Sequence, residues 1–260
     1  MTEDAQENRA RTQADESRPA SGRGIFERTR LIAGDEMMRR LADTRVLVVG
    51  VGGVGSWCVE SLVRTGVGHI TIVDRDVVAT SNINRQLPAT TSTVGQPKVE
   101  VLGRRMLDIN PDLDLRAVFD FYSPENADSY DLDSYDYVID AIDSRDCKAE
   151  LILRATASRA RLFSSMGAAR KLHASMVATA EFWKVQGCPL ARSLREYFKK
   201  TERFPRLKFK CVYSPERLPQ AMRADDGGNG TFAHTTAIFG LTLAGLVVED
   251  IYSKSNRPNS

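Results

Sequence analysis

The sequence predicts an α/β fold: a doubly wound, mostly parallel sheet with an irregular C-terminal extension. Three observations predict it. Short β-branched runs alternate with helical patterns between residues 45 and 165, and that alternation requires parallel strands joined by crossover helices. Gly50-Val51-Gly52-Gly53-Val54-Gly55 directly follows the first run and opens the first helical pattern, the context in which a glycine turn meets a phosphate. Composition agrees, since 42% hydrophobic and 27% charged residues over 260 positions suit one globular domain with a sizeable core. Together they describe a Rossmann-like sheet.

Residues 1–24 contain no Val, Ile, Leu, Phe, Tyr or Trp. They cannot bury apolar surface, and a disordered tail is expected there. Residues 25–260 then form a single domain. Residues 26–41 read as a charged amphipathic helix feeding the strand at 45–49. The helix after the glycines places Val54, Trp57, Cys58, Ser61 and Leu62 on one face. The second strand is 69–74. Pro97 opens a helix that runs to Asn110 and is stopped by Pro111, both expected signals. Strands at 113–119 and 135–140, a helix at 148–158 and a strand at 161–165 continue the alternation.

Beyond Gly167 the pattern loosens. Residues 175–182 and 209–214 read as strands, and 190–200 as a basic helix. A glycine-rich loop at 227–230 precedes a small-residue helix over 231–252. There is no internal repeat.

Several classes are excluded early. A formal net charge of +2 says little about partners. Cys58, Cys147, Cys188 and Cys211 form no CxxC pair, and His69, His173 and His234 are equally scattered. Neither a structural zinc site nor a disulfide framework is suggested. The N-terminal segment lacks the apolar stretch of a signal peptide, and its acids argue against a transit peptide. The longest apolar run, near 239–248, is too short to span a bilayer. A soluble, cytoplasmic chain with no membrane partner is expected.

The glycine motif and Asp74, which ends the second strand, point to a bound nucleotide. Gly50, Gly52, Gly53 and Gly55 allow a tight turn and a close backbone approach to phosphate, while Asp74 stands where a carboxylate accepts ribose hydroxyls. A dinucleotide would satisfy the motif alone. The residues downstream of Asp74 favour a nucleoside triphosphate, because Asn82, Arg85 and Lys98 are suited to phosphate oxygens. Asp140 and Asp143 lie at the end of the fourth strand, which places both carboxylates beside the phosphates, and one could hold Mg2+. Asp143 or Ser144 could instead cap the next helix.

Taken together, the glycine turn, Asp74-x-Asp76, Asn82-x-x-Arg85-Gln86, Lys98 and Asp140-Ala-Ile-Asp143 resemble the superfamily of ubiquitin-activating enzymes and their bacterial relatives in molybdopterin and thiamine synthesis. The segments GVGGVGSW (50–57), NRQ (84–86), YVIDAIDS (137–144), PLARSLREYF (189–198) and VYSPE (212–216) are similar to its tRNA threonylcarbamoyladenosine dehydratase branch. The resemblance covers roughly 25–252 and is more specific before residue 150.

It implies one ATP-binding, adenylating domain. The glycine loop, Asp74, Asp76, Gln86 and Asp140 would seat ATP. Asn82, Arg85 and Lys98 would stabilise the triphosphate, and Asp143 would hold magnesium. Arg28, with Arg30 the fallback, would reach the site of a homodimer partner. The implied reaction joins the carboxylate of threonylcarbamoyladenosine, in a tRNA anticodon loop, to AMP. Ring closure then expels AMP, and proximity favours that step. The other branches activate the C-terminus of a ubiquitin-like or sulfur-carrier protein, and a sulfurtransferase-system partner is compatible with the resemblance. Those branches use a cysteine, for which Cys188 or Cys211 would be the candidates here.

Between residues 184 and 210 lie nine Lys or Arg and only two acids, with Phe198, Phe204 and Phe209 interleaved. This is either a solvated face or a tRNA-binding segment, in which Arg192, Arg195, Lys199, Lys200 and Arg203 would meet phosphates and the aromatics would stack on loop bases.

Overall fold

The strand Arg45–Val49 (β1) sends Val46 and Val48 into one core cluster and Leu47 and Val49 into another. A strand apolar on both sides belongs at the centre of a sheet covered on both faces. In the computed structural model, which describes residues 24–217 and 230–255, β1 is that centre. The expected N-terminal tail and most of the glycine-rich loop lie outside the described residues.

In chain order the elements are α1 (Glu27–Asp43), β1, α2 (Gly55–Thr65), β2 (His69–Val73), α3 (Lys98–Ile109), β3 (Asp114–Val118) and β4 (Tyr137–Asp140). There follow α4 (Arg145–Ala155), β5 (Arg161–Ser165), β6 (Ala178–Glu181), α5 (Pro189–Thr201), β7 (Lys210–Tyr213) and α6 (Ala233–Ser255). The sheet has seven strands in the order β3-β2-β1-β4-β5-β7-β6. Every pairing is parallel except β6 with β7. The predicted extension is therefore part of the sheet: β7 continues the parallel set and β6 closes its edge.

Several boundaries differ from the pattern reading. Pro97 stands one residue ahead of α3, at its N-cap. Helix α4 begins at Arg145 rather than Lys148. Helix α1 is broken at Gly34, whose φ is +72°. On α2 the buried face carries Cys58, Val59, Leu62 and Val63, so Trp57 and Ser61 sit at its edge.

Helix α6 is long and apolar enough to cross a membrane by length and composition, which the shorter run at 239–248 did not suggest. Here it is a core helix. Phe239, Leu243, Ala244, Val247 and Ile251 are buried in the cluster that also holds α2. A Cβ added at Gly240 would lie 2.3 Å from the Val54 carbonyl oxygen, so the two helices cross in contact.

Strand order reverses at β1 and β4, since the chain leaves β1 for β2 and β3 on one side and returns through β4 on the other. Open sheets of this type bind ligands at the carboxyl ends of the strands flanking that point. Both the glycine turn and the 140–143 turn lie there.

Candidate active site

The cleft at this point encloses about 1060 Å³. One end is the glycine turn. Gly50 has φ +89°, and a Cβ there would stand 2.8 Å from the Ala141 carbonyl oxygen. At Gly55 a Cβ would stand 1.8 Å from the Gly50 oxygen. Only glycine permits this turn to pass against β4. Gly52 and Gly53 face the cleft itself, and the N-terminus of α2 has no side-chain cap. The Ser56 N–H is taken by the Gly52 carbonyl at 3.2 Å, and the helix dipole makes this end favourable for an anion.

Asp74 is held by two backbone donors. Val51 N–H donates to Oδ2 at 2.8 Å and Asp76 N–H to Oδ1 at 2.8 Å. Burial raises its pKa above the usual carboxylate value, although these two bonds and the nearby Lys98 pull the other way. Lys98 is buried at the start of α3, and its Nζ donates to Asp76 Oδ2 at 2.8 Å. Asn82 turns its Oδ1 to the Ala79 N–H at 3.1 Å.

Arg85 is anchored through Nη1 on the Ser81 carbonyl (2.9 Å) and Asn84 Oδ1 (2.8 Å), while its own carbonyl accepts the Trp57 indole N–H at 3.2 Å. Gln86 is buried, with its Oε1 lacking a hydrogen-bond partner. The structure thus brings Gly50, Gly52, Gly53, Asp74, Asp76, Asn82, Arg85, Gln86, Lys98 and Asp143 to one cleft.

Asp140 is not in it. It is 0% exposed, as is Lys148, whose Nζ lies 2.8 Å from Asp140 Oδ2. Ser164 Oγ donates to the same oxygen at 2.6 Å, and Ile142 N–H to Oδ1 at 3.1 Å. Asp140 fixes the turn from behind, contrary to the expectation that both carboxylates face the phosphates. The reason is position: all four residues of β4 are buried, so the last side chain of the strand stays inside. Asp143, beyond the turn, is exposed in the cleft and has no partner among the described residues.

Another wall of the cleft is built by Ser165–Lys171, the start of α5 and the segment after β7. Arg170, Lys171, Glu216 and Arg217 line it, and pattern reading gave none of them a role. Arg192, in the first turn of α5, also lines it.

The remaining basic residues diverge. Lys199 and Lys200 are exposed at the far end of α5. Arg195 Nη1 is spent on the carbonyls of Phe182 (3.2 Å) and Val185 (2.9 Å), and Arg203 is paired with Glu150 at 2.9 Å. Both act as packing clamps. Phe198 and Phe209 are buried against Phe182, so of the three interleaved aromatics only Phe204 is exposed. Cys188 and Cys211 are buried and do not line the cleft, and burial pushes the Cys211 thiol well up. Arg28 is exposed on α1 and also lies outside the cleft of its own chain.

The ThiF family model matches residues 26–259. The chain belongs to the ThiF family. Among relatives of this ThiF-family chain, tRNA threonylcarbamoyladenosine dehydratase of Escherichia coli is 35% identical over 89% of this chain and 95% of its own. The Bacillus subtilis protein of the same name is 41% identical over 67% and 69%. The crystal structure of the E. coli enzyme in complex with ATP superposes with a TM-score of 0.83 at 34% identity, covering 91% of this chain and 97% of that one. The resemblance drawn from motifs thus extends over nearly the whole ThiF domain, β6, β7 and α6 included.

Proposed function

We propose that the protein is an ATP-dependent tRNA threonylcarbamoyladenosine dehydratase, acting through an acyl-adenylate. The observation that carries this reading is one cleft lined both by a glycine turn at a capless helix and by three arginines from separate segments. The two likenesses to named dehydratases over most of their length support it.

The residues fit ATP. Gly52 and Gly53 leave room that side chains would fill, Asp74 offers a carboxylate fixed for ribose, and Gln86 Oε1 awaits a donor. Arg85 and Lys98 place positive charge where negative charge grows as the substrate carboxylate attacks the α-phosphate. No group of three or more His, Cys, Asp or Glu able to hold a metal occurs among the described residues. That suits Mg2+, which takes one or two carboxylates and relies on phosphates and water for the rest. Asp143 is the carboxylate available, and the ion it holds would offset triphosphate charge.

The chain's cysteines take no part. All four are free and buried, and none lines the cleft. The decisive experiment is mass spectrometry of tRNA nucleosides after incubation with protein and ATP. Loss of one water from threonylcarbamoyladenosine, with AMP formed in step, is the expected result; AMP formed only when a carrier protein is supplied would establish the alternative.

The protein acts as a homodimer in this reading. Leu31 and Ile32, 78% and 89% exposed, give α1 an uncovered apolar face beside Arg28. Contact between copies through α1 would cover it and carry Arg28 toward the partner's cleft. Mixing an Arg28→Ala chain with an Asp143→Ala chain should then restore about a quarter of wild-type AMP formation, since half of randomly formed dimers would hold one intact composite site of two. A mixture as inactive as its parents rejects the shared site.

A further inference from the structure

Arg170, Arg192 and Arg217 line the cleft from three separate segments. None has an acidic partner among the described residues. The segments of Arg170 and Arg217 are held together by a buried clamp. Lys171, 4% exposed, donates from Nζ to the carbonyls of Ser214 (3.0 Å) and Glu216. Glu216, 6% exposed, answers by accepting the N–H groups of Leu172 (2.9 Å) and His173 (3.0 Å) through Oε2.

Each half of the clamp is adjacent in sequence to one arginine. Arg170 precedes Lys171 and Arg217 follows Glu216. Arg170 also has φ +59°, a conformation that side-chain-bearing residues rarely adopt. Its N–H is tied to the Gly230 carbonyl at 2.9 Å, and the Lys171 carbonyl accepts the Thr235 hydroxyl at 3.2 Å. Burying a lysine and a glutamate to hold two arginines at the cleft, one of them in a left-handed turn, is a built arrangement rather than a solvated face.

We propose that Arg170, Arg192 and Arg217 form an anion subsite for the backbone phosphodiesters that flank the reacting nucleotide of an RNA substrate. The inference rests on the proposed RNA substrate and names the residues that grip it. Guanidinium forks match phosphate oxygens. One reacting carboxylate does not call for three arginines in addition to Arg85 and Lys98, which line the same cleft. Arg192, Lys199 and Lys200 also fall on one side of α5, seven and eight residues apart and with the exposed Glu196 between them, so the stripe carries net positive charge out of the cleft along the helix. A peptide tail would have little use for that stripe.

The test is binding of an unmodified tRNA transcript, which carries phosphodiesters but no threonyl carboxylate, to the full chain over a range of salt. The Arg170→Gln/Arg192→Gln/Arg217→Gln variant should bind at least about tenfold more weakly at low salt. Its log–log salt slope should fall by roughly 0.7–0.9 for each arginine lost. The triple Arg→Lys variant should keep most of the slope. ATP affinity and thermal stability serve as controls for folding, and if the triple variant misfolds, the exposed single changes Arg192→Gln and Arg217→Gln carry the same prediction for one contact each. A wild-type slope in the glutamine variants overturns the subsite. AMP formation by the unaltered protein on modified tRNA decides the reaction independently, so either reading can fail without the other.

Discussion

Asp143→Ala is expected to lower AMP formation roughly 1000-fold or more, about 4 kcal/mol of transition-state stabilisation, while leaving the folded state within about 0.5 kcal/mol of wild type. The other carboxylates near the phosphates are already engaged. Asp74 accepts the Val51 and Asp76 amides, one on each oxygen. Asp76 holds Lys98. Asp120, also in the cleft, accepts the Tyr130 hydroxyl, the Asn126 amide and the Phe121 N–H. Asp140 is sealed behind the turn. Asp143 is exposed in the cleft with no partner among the described residues, so its removal strips nothing from the fold and takes the free carboxylate from the phosphates. AMP assays over a magnesium titration, with thermal unfolding alongside, check both halves. A folded variant that turns over normally removes Asp143 from the chemistry.

The glycine-turn side of this cleft could be read from the sequence because its parts are local. A glycine turn, the strand before it and the helix after it are contiguous, and Asp74, Arg85 and Lys98 follow within one crossover. The wall with Arg170, Arg192 and Arg217 could not. These arginines share no period, and the segments of Arg170 and Arg217 are brought together by the β5–β7 pairing and the Lys171–Glu216 clamp.

Two misreadings had signals that were present and outweighed. Phe198 falls on the same stripe as Ala191 and Leu194, which the helical period assigns to the core, yet the surrounding lysines suggested a base-stacking face. Asp140 ends an apolar run in a strand buried on both sides, which argues for a paired buried charge. The Asp-x-x-Asp spacing alone does not say which carboxylate leaves the sheet.

That buried pair sets the largest expected stability effect. Asp140→Ala should destabilise the protein by about 3–5 kcal/mol, because Lys148 is left charged in the interior with only the Ile142 carbonyl, at 2.9 Å, to receive its ammonium. For a chain of this size the melting temperature should fall by roughly 6–10 °C. A cavity alone could also destabilise, so the double change Asp140→Leu/Lys148→Met provides the contrast. Replacing both charges with apolar groups should recover most of the lost stability, as isolated ion pairs in protein interiors allow. Activity should not return with it. Asp140 and Lys148 bind the N–H and carbonyl of Ile142, one residue before Asp143, and a leucine–methionine pair offers that turn no hydrogen bonds. Thermal unfolding of the single and double variants, read beside AMP formation, separates the two roles. A single variant that melts with the wild type would show that the pair does not carry the stability assigned to it, and a double variant with full activity would show that Asp143 finds its place without the turn.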